Sequence, residues 1–299
     1  MPWQSPQSGY STIGFAPRDA VPSYPEAWKN CILAVNPSLG HTGDTLYDWS
    51  GKKQHGARVN ISATNFWKIA ESIHCSGLRF AASLGAWDFG DYAGTLLTGA
   101  ISFWVDIRQF GSERVMFGYS SDISTWNMRI GSSTDGTPTG ANAYLVLRVS
   151  DGVISNTIRG STVLVQSRWY HIVLIAANGQ YYMWIDGRPE TLTVLAGSNN
   201  GKFFGDILKA GTIKLSWASS IWFSTAWSSG QQGHYTDMRL FDSPISDGLV
   251  QLLSQRPGIA YEFDSIVYKT IISNPWYDYQ QQSLTVGSAL DGPSRVIGF

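Results

Sequence analysis

The chain has 299 residues, of which 43% are hydrophobic, 13% aromatic and only 14% charged, against about 25% charged in an average globular protein. Its 21 basic and 22 acidic residues leave a formal charge of −1. With no run of Lys or Arg, this excludes the electrostatic footprint of a nucleic-acid binder or a protein held on anionic lipid. The length suffices for a full core, and an all-β fold of this size is commonly one domain.

The first ten residues, Met1-Pro-Trp-Gln-Ser-Pro-Gln-Ser-Gly-Tyr10, have neither the basic nor the apolar region of a secretory signal, and no apolar stretch is long enough to span a bilayer. Membrane insertion is not expected. Residues 1–27 carry Pro2, Pro6, Pro17, Pro22 and Pro25 among Ser, Gly and Tyr, which predicts an extended N-terminal arm without regular ladders. Cys31 and Cys75 have no metal-type spacing and are too few for a disulfide framework. The expected state is two buried thiols, although pairing between them is open.

From residue 31 to 239 short apolar runs alternate with turn dipeptides, among them Asp135-Gly136, Asp151-Gly152, Asn178-Gly179, Asp186-Gly187 and Asn200-Gly201. The spacing is that of a sandwich or barrel. Residues 100–107 alternate Ile101, Phe103, Val105 and Ile107 against Ser102, Trp104 and Asp106, which predicts a half-buried strand. Residues 143–149 read the same way, with Ala143, Leu145, Leu147 and Val149 on one side. The segment 169–187 is the sharpest prediction. Trp169, His171, Val173 and Ile175 share one face of a first strand, Tyr181, Met183 and Ile185 share one face of a second, and Asn178-Gly179 suits a type I′ turn between them. Residues 78–80, 212–217 and 236–240 supply further strands. One helix is predicted over 247–254, with a stripe of Leu249, Leu252 and Leu253, Ser246 as cap and Pro257 as stop. Residues 258–299 form an extended C-terminal tail, suited to a surface of its own body or of a neighbouring subunit.

Candidate chemistry is sparse. The five glutamates are Glu26, Glu71, Glu113, Glu190 and Glu262. Only Glu262-Phe-Asp264 begins an E-x-D-x-x-E strand, and its third acid is missing, which argues against a retaining glucanase. His41, His55, His74, His171 and His234 have no zinc-like spacing, and His171 reads as a hydrogen-bonded structural imidazole. No nucleophile-elbow sequence accompanies a Ser-His-Asp order. No cofactor is expected, although Asp48, Asp88 and Asp91 are possible oxygen ligands for Ca²⁺ in loops, with Asx-turns as the simpler role. Aromatics are the strongest binding signal. Trp217, Trp222, Phe223 and Trp227 stand among Ser, Thr and Ala, a composition that can present indole faces to sugar rings. Packing into the core or a subunit interface is the competing role, and Trp217, on an alternating strand, is the one most open to it.

Four pieces, in order, resemble the concanavalin A-like jelly roll in its laminin-G-like and pentraxin-like branch. They are Tyr47-Asp-Trp-Ser-Gly-Lys-Lys-Gln-His-Gly56, then Gly77-Leu-Arg-Phe80 with Thr98-Gly-Ala-Ile-Ser-Phe-Trp-Val105, then the 169–187 hairpin, then Thr236-Asp-Met-Arg-Leu-Phe-Asp-Ser-Pro-Ile-Ser-Asp247. The resemblance spans residues 30–257 and implies two curved antiparallel sheets, frequent glycan binding and occasional calcium, with no calcium ligand set transferable. The expected architecture is therefore an all-β jelly-roll sandwich over 28–257 between two arms, with one short helix. The expected role is non-enzymatic. The chain is read as a virion or surface-appendage component, such as a phage decoration or fibre protein, that binds glycans or neighbouring subunits and forms a homo-oligomer or lattice through its arms. A free lectin domain and a divergent glycoside hydrolase are the alternatives.

Overall fold

Turn chemistry closes the 169–185 hairpin as the sequence predicts. In the computed structural model Asn178 and Gly179 adopt φ values of 53° and 69°, the doubly left-handed geometry of a type I′ turn, with Ala177 paired to Gln180 across it. Asp186 and Gly187 repeat the device at 51° and 74°.

The structure describes residues 23–36, 41–42, 45–59, 67–70, 75–80, 86–90, 94–111, 113–122, 126–134, 142–207, 214–217, 220–222, 226–228, 230–261, 285–286 and 296–297. In chain order the strands begin with β1 (Cys31–Val35), β2 (His41–Thr42), β3 (Thr45–Leu46), β4 (Gly56–Val59), β5 (Trp67–Ala70), β6 (Cys75–Phe80) and β7 (Ala86–Asp88). The long strands follow: β8 (Gly99–Ile107), β9 (Arg114–Asp122), β10 (Trp126–Ser133), β11 (Asn142–Asp151), β12 (Ser155–Val165), β13 (Trp169–Ala177) and β14 (Gln180–Ile185). The series continues with β15 (Arg188–Pro189), β16 (Thr193–Ala196), β17 (Lys214–Trp217), β18 (Ser220–Trp222), β19 (Ala226–Ser228) and β20 (Gly233–Phe241), then helix α1 (Asp247–Leu253).

Two antiparallel sheets result. Sheet A has eight strands in the order β15-β14-β13-β8-β20-β6-β5, with β1 also paired to β20. Sheet B has ten, in the order β16-β12-β11-β10-β9-β17-β7-β4-β3-β2. Strand β20 serves two neighbours on one edge. Gly233–Tyr235 pair with β6, and Met238–Phe241 pair with β1 after a register break at Asp237, whose φ is 46°.

Alternation fills the space between the sheets. Ile101, Phe103, Val105 and Ile107 of β8 and Ile172 and Leu174 of β13 meet Met128, Ile130, Leu145, Leu147 and Val149 of sheet B. Each such side chain is worth about 1.5–3 kcal/mol of burial. Tyr181, Met183 and Ile185 join this core by pairing with Ala176, Leu174 and Ile172. The all-β sandwich expected from the sequence is the observed fold.

The expectation of half-buried strands fails for sheet A. All nine residues of β8 and all nine of β20 are buried, because a second apolar layer covers the outer face. Leu249, Val250 and Leu253 of α1 pack there with Ala27, Cys31, Val173, Ile175, Trp184, Ile259, Ala260 and Tyr261. The helix starts as predicted, with Ser246 Oγ accepting from Leu249 N at 3.3 Å, and it buries Val250 where the sequence stripe pointed to Leu252, which is half-buried. Flanking residues assigned to the arms also belong to this layer. Trp28 Nε1 donates to Ala260 O at 2.8 Å and its ring meets Tyr261 edge-on at 5.1 Å. The packed body therefore runs from Tyr24 to Tyr261, a few residues past both predicted boundaries.

Candidate ligand-binding face

The outer face of sheet A carries polar groups that resemble machinery but lie sealed. Ser102 Oγ and His171 Nε2 share a hydrogen bond of 2.9 Å. Both residues are 1% exposed, beneath Trp104, whose Nε1 donates to Leu253 O of the helix. His171 Nδ1 is buried without a hydrogen-bond partner, so no carboxylate orients the ring as in a triad. Burial, reinforced by the Arg239 charge, pulls its pKa down to about 3. It is a neutral structural imidazole, as the sequence reading held. Cys31 is a free thiol donating to Leu33 O at 3.3 Å, and burial pushes its pKa up to about 12, which leaves it unreactive.

The loop carboxylates act as turn anchors. Asp48 Oδ1 accepts from Ala34 N at 3.0 Å and Ser50 N at 2.8 Å, and Oδ2 accepts from Gln54 N at 3.0 Å and Ser50 Oγ at 2.8 Å. His55 Nδ1 accepts from Asp48 N at 3.1 Å. This closed set gives the D-x-S-G-x-x-x-H-G motif its physical meaning, since its Asp, Ser and His bind one another's backbone and the strand beside them. Burial raises the Asp48 pKa even against those donors. Asp88 accepts from Gly90 N at 2.9 Å and pairs with the Lys214 ammonium. Both carboxylates are turned toward N–H and O–H donors, and Asp91 lies outside the described residues. Among the described residues no three His, Cys, Asp or Glu side chains gather as a metal site.

Sheet B presents a different outer face. In the β10–β11 ladder Met128 and Ile130 oppose Val149 and Leu147 in the core, so Asn127 opposite Ser150 and Arg129 opposite Arg148 face outward. Across β9 and β17 the same face continues through Gly118 and Ser120, then Ser216 and Lys214. Toward β12 it continues through Thr157 and Arg159, with the Arg159 guanidinium 4.4 Å over the Tyr144 ring. Small residues let the long ones lie close. A Cβ on Gly131 would meet Arg114 O at 2.1 Å, so only glycine fits the β9–β10 bulge.

Glu113, just before β9, joins two of these side chains. Its Oε1 lies 2.7 Å from Arg129 Nε and 3.3 Å from Arg148 Nε, and Arg129 Nη2 donates to its Oε2 at 3.5 Å. Side-chain exposures of 26% for Glu113, 13% for Arg129 and 31% for Arg148 place the cluster at the solvent boundary. Burial lowers the Arg129 pKa, with Arg148 adding to that and Glu113 opposing it. The sequence reading missed this cluster. Its one available signal was parity, since Arg148 stands opposite in phase to Leu145, Leu147 and Val149.

The predicted aromatic site divides. Trp217 is 0% exposed in the core, edge-on to Phe117 at 5.0 Å and to Phe89 at 5.4 Å. Its strand parity points between the sheets, so it presents no surface to a sugar. Trp222 and Trp227 fall in the β18–β19 hairpin, which pairs Trp222 with Ala226 and Trp227 with Ile221. That register places the two positions on opposite faces of the hairpin. Phe223 lies outside the described residues, as do Glu262 and Asp264. Among the described residues no helix is long and apolar enough to cross a membrane.

No protein-family model and no curated protein matches the chain. Solved structures do. Domain 4 of AbnA, a GH43 extracellular arabinanase from Geobacillus stearothermophilus, determined in complex with arabinotriose, aligns with a TM-score of 0.55 at 14% identity, over 76% of this chain and 98% of that one. The CBM40 of the Ruminococcus gnavus IT-sialidase, bound to α2,3 sialyllactose, aligns with a TM-score of 0.48 at 15% identity, over 60% and 96%. The binding domain of Paraclostridial Mosquitocidal Protein 1 gives 0.47 at 14%, over 76% and 52%. The arabinanase domain shares the β-sandwich fold with this chain.

Proposed function

We propose that the chain is a non-enzymatic glycan-binding module of concanavalin A-like type whose ligand face is the outer surface of sheet B around Glu113, Arg129 and Arg148. The observation that carries this reading is a polar set in register across four strands in which Glu113, Arg129, Arg148 and Lys214 keep partial exposure, while Ser120, Asn127, Ser150 and Ser216 among them are buried. Sugars are held by such groups, because hydroxyls both donate and accept and charged partners strengthen each bond. The β18–β19 hairpin lies against β9 of this face, which keeps Trp222 and Trp227 as candidate stacking residues at its border. The sealing of Ser102 and His171 supports binding over catalysis. The arabinanase domain lends the reading a shared fold that, in that protein, was determined with an oligosaccharide present.

A glycan array probed with the intact chain tests the face. Hits that weaken in Arg148→Ala are expected, with a further loss in Trp222→Ala or Trp227→Ala if the hairpin takes part. A blank array overturns the reading.

The setting we propose is a virion or surface appendage, to which the proline-rich N-terminal segment and the tail beyond Tyr261 attach the module. Trp28 and Ala260 are hydrogen-bonded, so the two described ends of the packed body lie together on the sheet A side. Truncation of residues 262–299, which spares the packed Tyr261, is expected to abolish assembly into oligomers while leaving a folded sandwich. Unchanged native mass would remove the assembly role.

A further inference from the structure

Resting on the glycan-binding reading, we infer that Arg159, propped on Tyr144, is a reading residue of the face, and that what it reads is an oxyanion of the ligand, a sulfate ester or a carboxylate. On the outer face of sheet B, Arg129 and Arg148 meet Glu113, and Lys214 meets Asp88. Arg159 differs from all three. Its guanidinium lies 4.4 Å over the Tyr144 ring, yet among the described residues it forms no ion pair, and its buried Nε has no hydrogen-bond partner. Glu190 does not serve it. That carboxylate lies against Gly160, where a Cβ would come within 2.8 Å of Oε2. Its Oε2 accepts from Thr162 N at 2.7 Å and Ser161 Oγ at 3.3 Å, and its Oε1 accepts from Thr162 Oγ1 at 2.6 Å.

The strands fix what stands beside this cation. Arg159 opposes Val146 and Val163 opposes Tyr144, with a register shift in β12 between them. Ile158 and Leu164, on either side of that irregularity, belong to the core, which turns Arg159, Val163 and Val165 outward. Val163 and Val165 remain 44% and 40% exposed, while Arg159 and Tyr144 are half-buried. A cation without a counter-charge therefore adjoins a small apolar shelf. A sugar ring that carries an oxyanion offers the matching pair, C–H groups for Val163 and Tyr144 and two acceptor oxygens for the planar guanidinium fork. The ring contact restrains the Arg159 side chain before any ligand arrives, so less rotational freedom is lost on binding.

The test uses the full chain and two matched pairs of immobilised probes, a sulfated galactan oligosaccharide beside its desulfated form and an oligogalacturonate beside its methyl ester. In at least one pair the charged form is expected to bind about ten-fold more tightly, the worth of one charge-assisted bond, and to lose that advantage as salt rises. The pair that shows the preference identifies the oxyanion. Arg159→Gln is expected to abolish the preference, and Arg159→Lys, which keeps charge but loses the fork, to fall between. Tyr144→Leu should weaken the charged probe several-fold, whereas Tyr144→Phe, which keeps the ring, should not. Val163→Ser should weaken charged and neutral probes alike, because the apolar contact is common to both. Thermal melts of each variant separate loss of binding from loss of fold. Equal binding within both pairs, or a preference that survives in Arg159→Gln, would overturn this inference while leaving a glycan-binding face intact. No binding of any oligosaccharide by the unaltered chain would instead remove the reading on which it rests.

Discussion

The outer faces of the two sheets use the same residue types to opposite ends. On sheet A, Arg239 is 0% exposed and its Nε donates to Asp237 Oδ1 at 2.8 Å. Its guanidinium also donates to Ala27 O at 3.3 Å and lies 4.8 and 4.5 Å over the rings of Trp28 and Tyr261. Asp237 Oδ2 accepts from Gly258 N at 2.9 Å. This ion pair ties the start and the end of the packed body to the middle of β20. On sheet B, Arg129 and Arg148 share Glu113, with side chains 13%, 31% and 26% exposed respectively. An ion pair sealed under a lid acts as a structural staple, whereas a partly exposed one contributes little to stability. What separates them is the cover, not the chemistry of the pair.

Removing the staple should have the largest effect. Arg239→Ala strands the Asp237 carboxylate in the interior, a loss of about 3–5 kcal/mol, to be read as a lower urea midpoint. Burial works against the Arg239 charge, but Asp237 outweighs it and holds the guanidinium above its ordinary pKa, so Arg239 stays charged. If Arg239→Ala were as stable as the parent chain, the lid would not depend on this pair and the contrast between the faces would collapse.

Acid gives the next largest effect. His171 has a folded pKa of about 3 against 6.5 when unfolded. The unfolded chain therefore takes up a proton below pH 6.5 that the native chain refuses. The stability due to the neutral ring is complete above that pH and falls by about 1.4 kcal/mol per unit as pH drops toward 3. Urea midpoints measured from pH 7 to 4 should fall more steeply for the parent chain than for His171→Gln. Identical slopes would mean that the sheet A face is wetter than its burial indicates.

The smallest stability change belongs to sheet B. Arg148→Ala should cost less than about 1 kcal/mol, since partly exposed ion pairs contribute little, while its effect on oligosaccharide binding should be large. A severe loss of stability in this variant would make the cluster structural and erase the distinction between the two faces.

Several elements were readable in advance for local reasons. The Asn178-Gly179 and Asp186-Gly187 turns require positive φ, which those residues tolerate, and alternation in 143–149 and 169–185 sorts core from surface within a strand. The Ser246 cap and the leucines after it likewise need only neighbours within one or two turns of helix. The binding residues were harder. Composition drew attention to Trp217, Trp222, Phe223 and Trp227, but a tryptophan that stacks on sugar and one that packs in a core have the same side chain. Trp217 proved to be core through its partners Phe89 and Phe117, which stand far from it in sequence.

What the amino-acid order settled alone was the alternation of the strands over 143–149 and 169–185, the Asn178-Gly179 and Asp186-Gly187 turns and the sandwich class, because those depend on backbone geometry over a few residues. Which polar face is closed and which is open was decided only by tertiary structure. Ser102 and His171 have the alternation of solvent-facing residues, yet they are buried beside Trp104, which hydrogen-bonds the helix at Leu253. Arg129 and Arg148 have the same alternation and keep partial exposure, while Asn127, Ser150, Ser120 and Ser216 beside them are buried, since burial of a position depends on what distant segments the chain lays across it.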